Sequence, residues 1–299
     1  GLRRGLNAGQ SKPRPGDLAR RTVVRLEEVE DSGGVERRLP ELAVGVVHPP
    51  VAADRYAPQG PDDVRGAQQR FAEMAVAAIE AEEESSPLRG LPLIEIPVDE
   101  PGPWMAVIYS GDGGWRDIDK QIGEVLALDG APVVGVDSLR YFWQRKSPEQ
   151  VASDLAEILR YYGEEWGTRK VVLVGYSFGA GILPFAVNRL PEAERAQVVQ
   201  VSLLGLAPRA PFEFHVGGWL GSDSEEDLLV MPELARLPMG LVQCFYGEEE
   251  EETLCPDPDL ATAEIVRTSG GHHFDGDYGA LARRILDGAS RRAAGGPRR

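Results

Sequence analysis

Apolar positions along this chain follow two different patterns. Short runs of apolar, mostly β-branched residues recur between residues 104 and 268, and longer amphipathic segments separate them. Runs of the first kind are typical of strands buried on both faces, whereas the amphipathic segments are typical of helices. The runs predict strands at 104–109, 131–136, 171–174, 197–206, 240–246 and 264–268, and the segments predict helices at 117–128, from 148 to about 162, from 180 onward and at 278–286.

The alternation of strands and helices predicts the fold class. Parallel strands need crossover connections, and helices in those connections cover both faces of the sheet. We therefore expect an α/β domain over residues 91–290, with a mostly parallel, doubly wound sheet and helices on both faces.

Both ends of the chain are predicted to lie outside this domain. Residues 1–90 form an N-terminal extension that we expect to be partly disordered, since its first 20 residues are rich in Arg, Gly and Pro. The extension contains strand-like segments at 22–26 and 42–47 and helical periodicity at 62–84. Residues 291–299 are expected to be a disordered tail.

Composition and charge exclude several classes of protein. The chain has 299 residues, 42% of them hydrophobic and 27% charged, as in ordinary globular proteins. Its 32 basic and 48 acidic residues give a net charge of −16, which argues against nucleic acid as a partner because a phosphate backbone requires basic surface. No apolar run approaches the ~20 residues of a membrane span, so no transmembrane segment is expected. No metal-ligand spacing occurs, and we expect neither metal nor cofactor.

The segment Gly175-Tyr-Ser-Phe-Gly179 predicts a nucleophile. It follows an apolar strand and precedes a segment that can begin a helix, so that Ser177 stands at the apex of a sharp turn. Glycines on both sides allow the strand and the helix to approach closely. The same pattern by itself also occurs in simple tight turns, but this context is typical of a serine nucleophile in the α/β-hydrolase fold.

A general base is expected among the four histidines of the chain. His272 and His273 follow the last predicted strand, which is where serine hydrolases of this type carry their base. We favour His272 because Gly-His-x-Phe is the commoner spacing, and His273 stays as the alternative. His48 and His215 are interpreted as structural or surface residues.

The acid that orients the base is expected after the strand at 240–246. Five consecutive glutamates follow Gly247, and the usual position of the acid, three residues past the glycine, is Glu250. Glu252 is the second choice. The other glutamates of the run are interpreted as a solvated face.

The loop Ser110-Gly-Asp-Gly-Gly-Trp115 is a candidate oxyanion hole. Glycines allow backbone N–H groups to turn toward a developing oxyanion, and the predicted donors are the amides of Asp112 and Phe178. A phosphate-binding loop is excluded because no Gly-Lys-Ser/Thr follows, whereas a simple βα turn stays open.

The two cysteines of the chain, Cys244 and Cys255, flank the glutamate run. A disulfide between them would fix the loop that carries the acid and would indicate an oxidising compartment such as a periplasm. Two reduced thiols of a cytosolic enzyme are the alternative.

Aromatic segments at 139–143 and 212–220 are predicted to line a pocket, with a small core beneath a loop as the alternative. The predicted substrate-binding residues are Gly111, Gly113, Trp115, Tyr141, Trp143 and Tyr176.

Taken together, these motifs resemble the VirJ/AcvB family of bacterial virulence proteins. The resemblance covers about residues 91–287 and is carried by the motifs at 110–115, 137–143, 175–180 and 270–275 and by Leu183-Pro-Phe-Ala-Val-Asn-Arg-Leu-Pro191. The chain departs from the family at Gly181, where an acidic residue is usual. Family members of the AcvB type carry an additional N-terminal region, of which residues 1–90 are interpreted as a remnant.

The resemblance implies a periplasmic α/β-hydrolase. AcvB-type members are associated with hydrolysis of lysyl-phosphatidylglycerol, and VirJ-type members with type IV secretion. The implied function is a serine ester hydrolase acting on an aminoacylated phospholipid. The alternatives are a hydrolase-like accessory protein that binds secretion-system partners with the site idle, and a general carboxylesterase or thioesterase.

Overall fold

The computed structural model of the protein describes residues 88–214 and 227–294. The predicted strands at 22–26 and 42–47, the predicted helix at 62–84, and the residues His48 and His215 lie outside the described residues, as do residues 215–220 of the second aromatic segment.

One sheet of seven strands forms the centre of the domain. Its strands are β1 (Leu93–Ile96), β2 (Met105–Tyr109), β3 (Val133–Val136), β4 (Val171–Tyr176), β5 (Val198–Leu204), β8 (Val242–Gly247) and β9 (Glu264–Thr268). Their order across the sheet is β1-β3-β2-β4-β5-β8-β9. A separate two-stranded pair consists of β6 (Arg209–Ala210) and β7 (Leu228–Leu229). The edge strand β1 runs antiparallel to β3, and every other pair in the large sheet is parallel.

Helices cover both faces of this sheet. They are α1 (Asp117–Leu128), α2 (Ser138–Tyr141), α3 (Pro148–Glu165), α4 (Phe178–Arg189), α5 (Glu192–Arg195), α6 (Met231–Leu234) and α7 (Tyr278–Ala293). Alternate residues of β2 belong to opposite cores: Val107 packs with α3 and α4, whereas Ala106 and Ile108 pack with α1 and α7. The expected α/β-hydrolase fold, a mostly parallel sheet wound on both faces, is confirmed.

The last helix is longer than the sequence pattern indicates. It was expected to end near residue 286, with a disordered tail from 291, but α7 continues through Ala293. Arg292 holds this end in place, because its guanidinium pairs with Glu264 at 2.9 Å and donates to the carbonyl oxygen of Gly240 at 2.9 Å. The predicted end of the helix was therefore seven residues too early.

No helix within residues 88–214 and 227–294 has the length and hydropathy needed to cross a lipid bilayer.

Candidate active site

Ser177 lies at the turn between β4 and α4, with φ 51° and ψ −111°. A positive φ is unusual for a residue with a side chain, and such positions cluster at functional sites. The flanking glycines are required by close contact: a Cβ on Gly175 would lie 2.6 Å from the Gly179 backbone, and one on Gly179 would lie 2.2 Å from the carbonyl oxygen of Tyr109. The local sequence therefore produces the strand–turn–helix that places the serine at the carboxyl end of the sheet.

A chain of short hydrogen bonds connects Ser177 to His272 and Glu250. Ser177 Oγ is 2.7 Å from His272 Nε2, and His272 Nδ1 is 2.6 Å from Glu250 Oε1. Because an ionised carboxylate only accepts hydrogen bonds, Nδ1 carries the proton and Nε2 is left to accept the serine hydroxyl. The Glu250 side chain is 7% exposed, so the carboxylate is shielded from bulk water, whereas the His272 side chain is 40% exposed and open to solvent.

The neighbouring histidine has a different partner. His273 Nδ1 lies 3.0 Å from the Tyr176 hydroxyl, which also donates to the backbone oxygen of His272 at 3.3 Å. Burial raises the pKa of Tyr176, so its hydroxyl keeps its proton. The structure thus brings His272, and not His273, to the serine. Tyr176 fixes the backbone of the histidine loop.

Of the five glutamates at 248–252, the structure brings Glu250 to the imidazole of His272. Glu250 contacts the imidazole, whereas Glu252, the second choice for the acid, is exposed. Glu248 pairs with Arg267 at 2.7 Å. Glu249 and Glu251 are exposed as well.

Gly205, directly after β5, is a site residue that sequence reasoning missed. It has φ +64°, and a Cβ there would lie 2.7 Å from His272 Cε1 and 3.2 Å from Glu250 Oε1. Any larger residue would push against the histidine–glutamate pair. The signal that could have identified it was an isolated glycine inside the predicted strand at 197–206, which indicates a bulge or a close approach of another group.

The candidate oxyanion loop follows β2 and lies against the turn that carries Ser177. Gly111 packs on the ring of Tyr176, where a Cβ would lie 3.0 Å from Cδ1. Gly114 N–H donates to the Gly111 oxygen at 3.1 Å and closes the loop, while Gly113 is exposed. Phe178 is the first residue of α4, where N–H groups have no acceptor within the helix.

Asp119 is a second residue that sequence reasoning missed. It lies in the first turn of α1 and is 2% exposed, and its Oδ1 has no hydrogen-bond partner among the described residues. Burial raises its pKa to about 8, against the opposing effect of backbone N–H groups of Arg116 and Gly111. The carboxyl is therefore tied to the glycine loop, although in the sequence it resembles an ordinary acidic residue at a helix start.

Two of the predicted substrate-binding aromatics belong to the core instead. The Trp115 indole packs against β3, where a Cβ on Gly135 would lie 2.4 Å from its ring. Tyr141 is 4% exposed, and its hydroxyl donates to Asp154. Neither side chain is placed to contact substrate, because the Trp115 ring packs against the sheet and the Tyr141 hydroxyl is bonded to the half-buried carboxylate of Asp154.

The remaining aromatics form a connected group beside the site. Phe142 lies 4.8 Å from Phe178 and 6.1 Å from Phe212, ring centre to ring centre. Trp143 is 61% exposed and stacks on Phe214 at 5.9 Å. The described part of the two aromatic segments thus consists of a small core and one stacked pair, in which Trp143 is exposed and Phe214 is half-buried.

Cys244 and Cys255 form a disulfide, with both side chains fully buried. The bond joins β8 to the far end of the loop that carries Glu250. The loop is also fastened by a hydrogen bond from Leu254 N–H to the carbonyl oxygen of Leu206 at 2.8 Å.

Solved structures with a similar fold include Est1E from Butyrivibrio proteoclasticus with bound ferulic acid, at 12% identity over 70% of this chain and 98% of that one, with a TM-score of 0.49. A Pyrobaculum calidifontis esterase is similar at 17% identity over 80% of this chain and 95% of the other, with a TM-score of 0.45. The thioesterase domain of the curacin biosynthetic pathway is similar at 15% identity over 66% and 99%, with a TM-score of 0.41. We infer neither activity nor substrate from these likenesses.

No curated protein sequence gives a significant match. The family model described as bacterial virulence protein VirJ matches residues 103–293. That range contains the serine turn, the glutamate run and the paired histidines. Because it is more than half of the 299-residue chain, the protein belongs to the VirJ family of bacterial virulence proteins.

Proposed function

We propose that the protein is a serine ester hydrolase that acts on an aminoacylated phospholipid of the lysyl-phosphatidylglycerol type. The observation that carries the proposal is the hydrogen-bonded chain from Ser177 Oγ through the imidazole of His272 to the carboxylate of Glu250. A nucleophile, a base within hydrogen-bond reach and an acid that orients the base are the parts that acyl transfer requires.

The chemistry follows from these positions. Ser177 Oγ attacks the ester carbonyl carbon while His272 Nε2 takes the hydroxyl proton. The imidazolium then gives that proton to the departing glycerol oxygen, and an aminoacyl ester of Ser177 remains. A water molecule, deprotonated by the same nitrogen, attacks this ester and releases the free amino acid and the serine. Glu250 stabilises the imidazolium throughout.

The oxyanion of each tetrahedral intermediate would be bound by the amides of Phe178 and Asp112. The Phe178 N–H belongs to the first turn of α4, whose dipole also favours negative charge. The Asp112 N–H comes from the loop that Gly111 packs against Tyr176.

The substrate class is supported by the resemblance to the AcvB-type motifs and by the charge of the glutamate loop. A lysyl ester carries positive charge, and Glu249 and Glu251 present carboxylates beside the site. Glu248 contributes less than the sequence suggests, because Arg267 neutralises it.

A periplasmic location belongs to the same proposal. The disulfide between Cys244 and Cys255 supports it, since such bonds persist in oxidising compartments.

The test is to incubate the purified protein with lysyl-phosphatidylglycerol and to measure free lysine and phosphatidylglycerol by mass analysis of the extracted lipids. We expect turnover by the wild type and a loss of about 10³-fold or more in Ser177→Ala. Glu252→Gln serves as a matched control in the acid loop and should keep its activity. Equal turnover by wild type and Ser177→Ala would remove the proposal.

The family match to virulence proteins keeps an accessory protein for secretion as the second candidate. In that case Ser177→Ala would retain binding to its protein partners, and the wild type would release no lysine from the lipid.

A further inference from the structure

The loop that carries His272 has a strained backbone and an open side chain. The His272 side chain is 40% exposed, so packing alone leaves the imidazole room to move. Phe274 and Asp275 both have a φ of 51°, a left-handed conformation that is unfavourable for residues with a side chain. Such a loop keeps its geometry only where other contacts fix it.

The carbonyl oxygen of His272 makes one such contact. It accepts the Tyr176 hydroxyl at 3.3 Å, and within the described part of the chain no other group donates to it. The carbonyl oxygens on either side, those of Gly271 and His273, instead accept backbone N–H groups of the same loop at 3.0 and 2.9 Å. The position of the base therefore depends on the phenol of Tyr176.

The ring of Tyr176 is itself fixed between two loops. It is 7% exposed, its Cδ1 would lie 3.0 Å from a Cβ on Gly111, and its centre is 5.3 Å from that of the His272 ring. One side chain thus contacts both the candidate oxyanion loop and the histidine loop, and it directly precedes Ser177. With the ring held, the direction of the O–H bond is the property left to be set.

His273 is placed to set this direction, since its Nδ1 lies 3.0 Å from the phenol oxygen. The Tyr176 hydroxyl has one proton, and an unprotonated Nδ1 would compete for it with the carbonyl oxygen of His272. A protonated Nδ1 donates to the phenol oxygen instead and leaves the hydroxyl proton for His272. Only this second arrangement satisfies both contacts, and hydrogen bonds in series strengthen one another.

We propose that His273 is a positioning residue for the base: its Nδ1–H donates to the Tyr176 hydroxyl, which in turn donates to the carbonyl oxygen of His272. The inference rests on the proposed function in one respect, since it takes His272 as the base that serves Ser177. It gives a role to an exposed histidine that does not contact the serine.

The kinetic test uses p-nitrophenyl acetate, a small activated ester. Tyr176→Phe keeps the ring and removes the hydroxyl, whereas His273→Ala removes the donor. We expect each to lower kcat about 5- to 30-fold with KM changed less than about twofold, because a displaced base affects the chemical steps more than binding. The double variant should lose no more than Tyr176→Phe alone, because both changes break the same chain of hydrogen bonds.

Two further variants serve as controls. His273→Asn should recover most of kcat, because its amide NH₂ can replace the Nδ1–H donor. Tyr161→Phe makes the same change as Tyr176→Phe at a half-buried ring that packs on Tyr162, near the end of α3 that leads toward the start of β4. It should match the wild type. Losses that multiply in the double variant, or an Asn variant as impaired as the Ala variant, would overturn the proposal.

Nitrogen NMR of protein labelled in its histidines reads the tautomer without any turnover. Correlations between the ring nitrogens and the carbon-bound protons distinguish Nδ1–H from Nε2–H, and the spectrum of His273→Asn identifies the signals of His273. We expect a protonated Nδ1 on His273 in the wild type and a loss of this preference in Tyr176→Phe. An unprotonated Nδ1 in the wild type would contradict the proposed direction of the chain.

The positioning role and the proposed function can fail separately. If p-nitrophenyl acetate gives the expected pattern but lysyl-phosphatidylglycerol is not cleaved, the substrate assignment fails and the positioning role stands. If Ser177→Ala abolishes turnover while Tyr176→Phe and His273→Ala match the wild type, the positioning role fails and the activity stands. If Ser177→Ala cleaves esters as the wild type does, the proposed function fails, and the NMR spectra still decide the hydrogen-bond chain.

Discussion

Ser177 has a backbone conformation that its own side chain disfavours, and the surrounding contacts maintain it. The φ of 51° costs on the order of 1–3 kcal/mol, and the close approach of Gly179 to the Tyr109 carbonyl oxygen leaves the turn no room to relax. The strained residue also makes the 2.7 Å contact with His272. The strained backbone of Ser177 thus helps to direct its hydroxyl toward His272.

The role of Glu250 can be tested against a neighbour of the same charge. Glu250→Gln should lower kcat by about 10²–10⁴-fold, because an amide can present its NH₂ group to Nδ1 and favour the wrong tautomer. Glu252→Gln removes the same charge from an exposed position and should leave kcat unchanged. Steady-state kinetics on a lysyl ester measure both, and a similar loss in both variants would contradict the assignment of Glu250.

Asp119 should make stability depend on pH. Burial raises its folded-state pKa to about 8, whereas in the unfolded chain it ionises near 4. Between these values the folded state binds more protons, so its free energy of unfolding falls as pH rises from about 4 to about 8, by on the order of a few kcal/mol.

Asp119→Asn should flatten this part of the stability curve. Denaturant unfolding at about pH 5 and about pH 9 measures the difference between the variant and the wild type. Asp137, Tyr176 and Tyr278 are the other titratable groups that interact with this side chain or its surroundings, and they are unchanged in the variant. An identical pH dependence in both proteins would contradict the protonated carboxyl.

Sequence reasoning reached much of the site because chain order and spacing constrain it. Ser177, Glu250 and the pair at 272 and 273 each follow a predicted strand, and parallel strands bring their carboxyl ends to one edge. The partner of His273 could not be predicted, since it depends on the direction of the Tyr176 hydroxyl. The burial of Asp119 likewise depends on tertiary packing.

At the level of elements, strands were predicted best where both faces are buried. The strand β4 is buried at every residue, as a continuous apolar run indicates. The edge strand β1 and the pair β6 and β7 were missed because they are short and partly exposed. The end of α7 was missed because Arg292 reaches Glu264 and Gly240, which are distant in sequence.

The disulfide should contribute both to stability and to the position of the acid. Cys244 and Cys255 are 11 residues apart, and closing a loop of this size is worth about 2–3 kcal/mol. Replacing both with Ala should lower the melting temperature and reduce kcat more than it raises KM, because Glu250 lies within the closed loop. A calorimetric melt and kinetics on the same preparation test this, and unchanged kcat would show that the loop holds Glu250 without the bond.

For the whole molecule, the acidic loop should discriminate between substrates by charge. Glu249→Gln with Glu251→Gln should raise KM for a lysyl ester more than for a neutral ester of the same chain length, because long-range attraction acts only on the cation. Added salt should reduce the difference between wild type and variant, since exposed charges are screened over ~10 Å at 0.1 M. Equal effects on both esters would contradict electrostatic attraction.

The fold of the whole molecule could be predicted from its alternation of elements, whereas the environment of several aromatics could not. Trp115 and Tyr141 were expected at a pocket, but the first needs the space left by Gly135 and the second turns to Asp154. Both environments depend on contacts between residues that are distant in the sequence, and a single sequence does not indicate such contacts.

The buried bond between Cys244 and Cys255 makes the history of a sample part of its chemistry. Protein synthesised in a reducing cytoplasm and protein exported through an oxidising compartment would share every residue and still differ in how firmly the loop bearing Glu250 is held. Specific activity should therefore be compared only between batches whose thiol content has been titrated. A batch of low activity should be reoxidised before the loss is attributed to a change in its sequence.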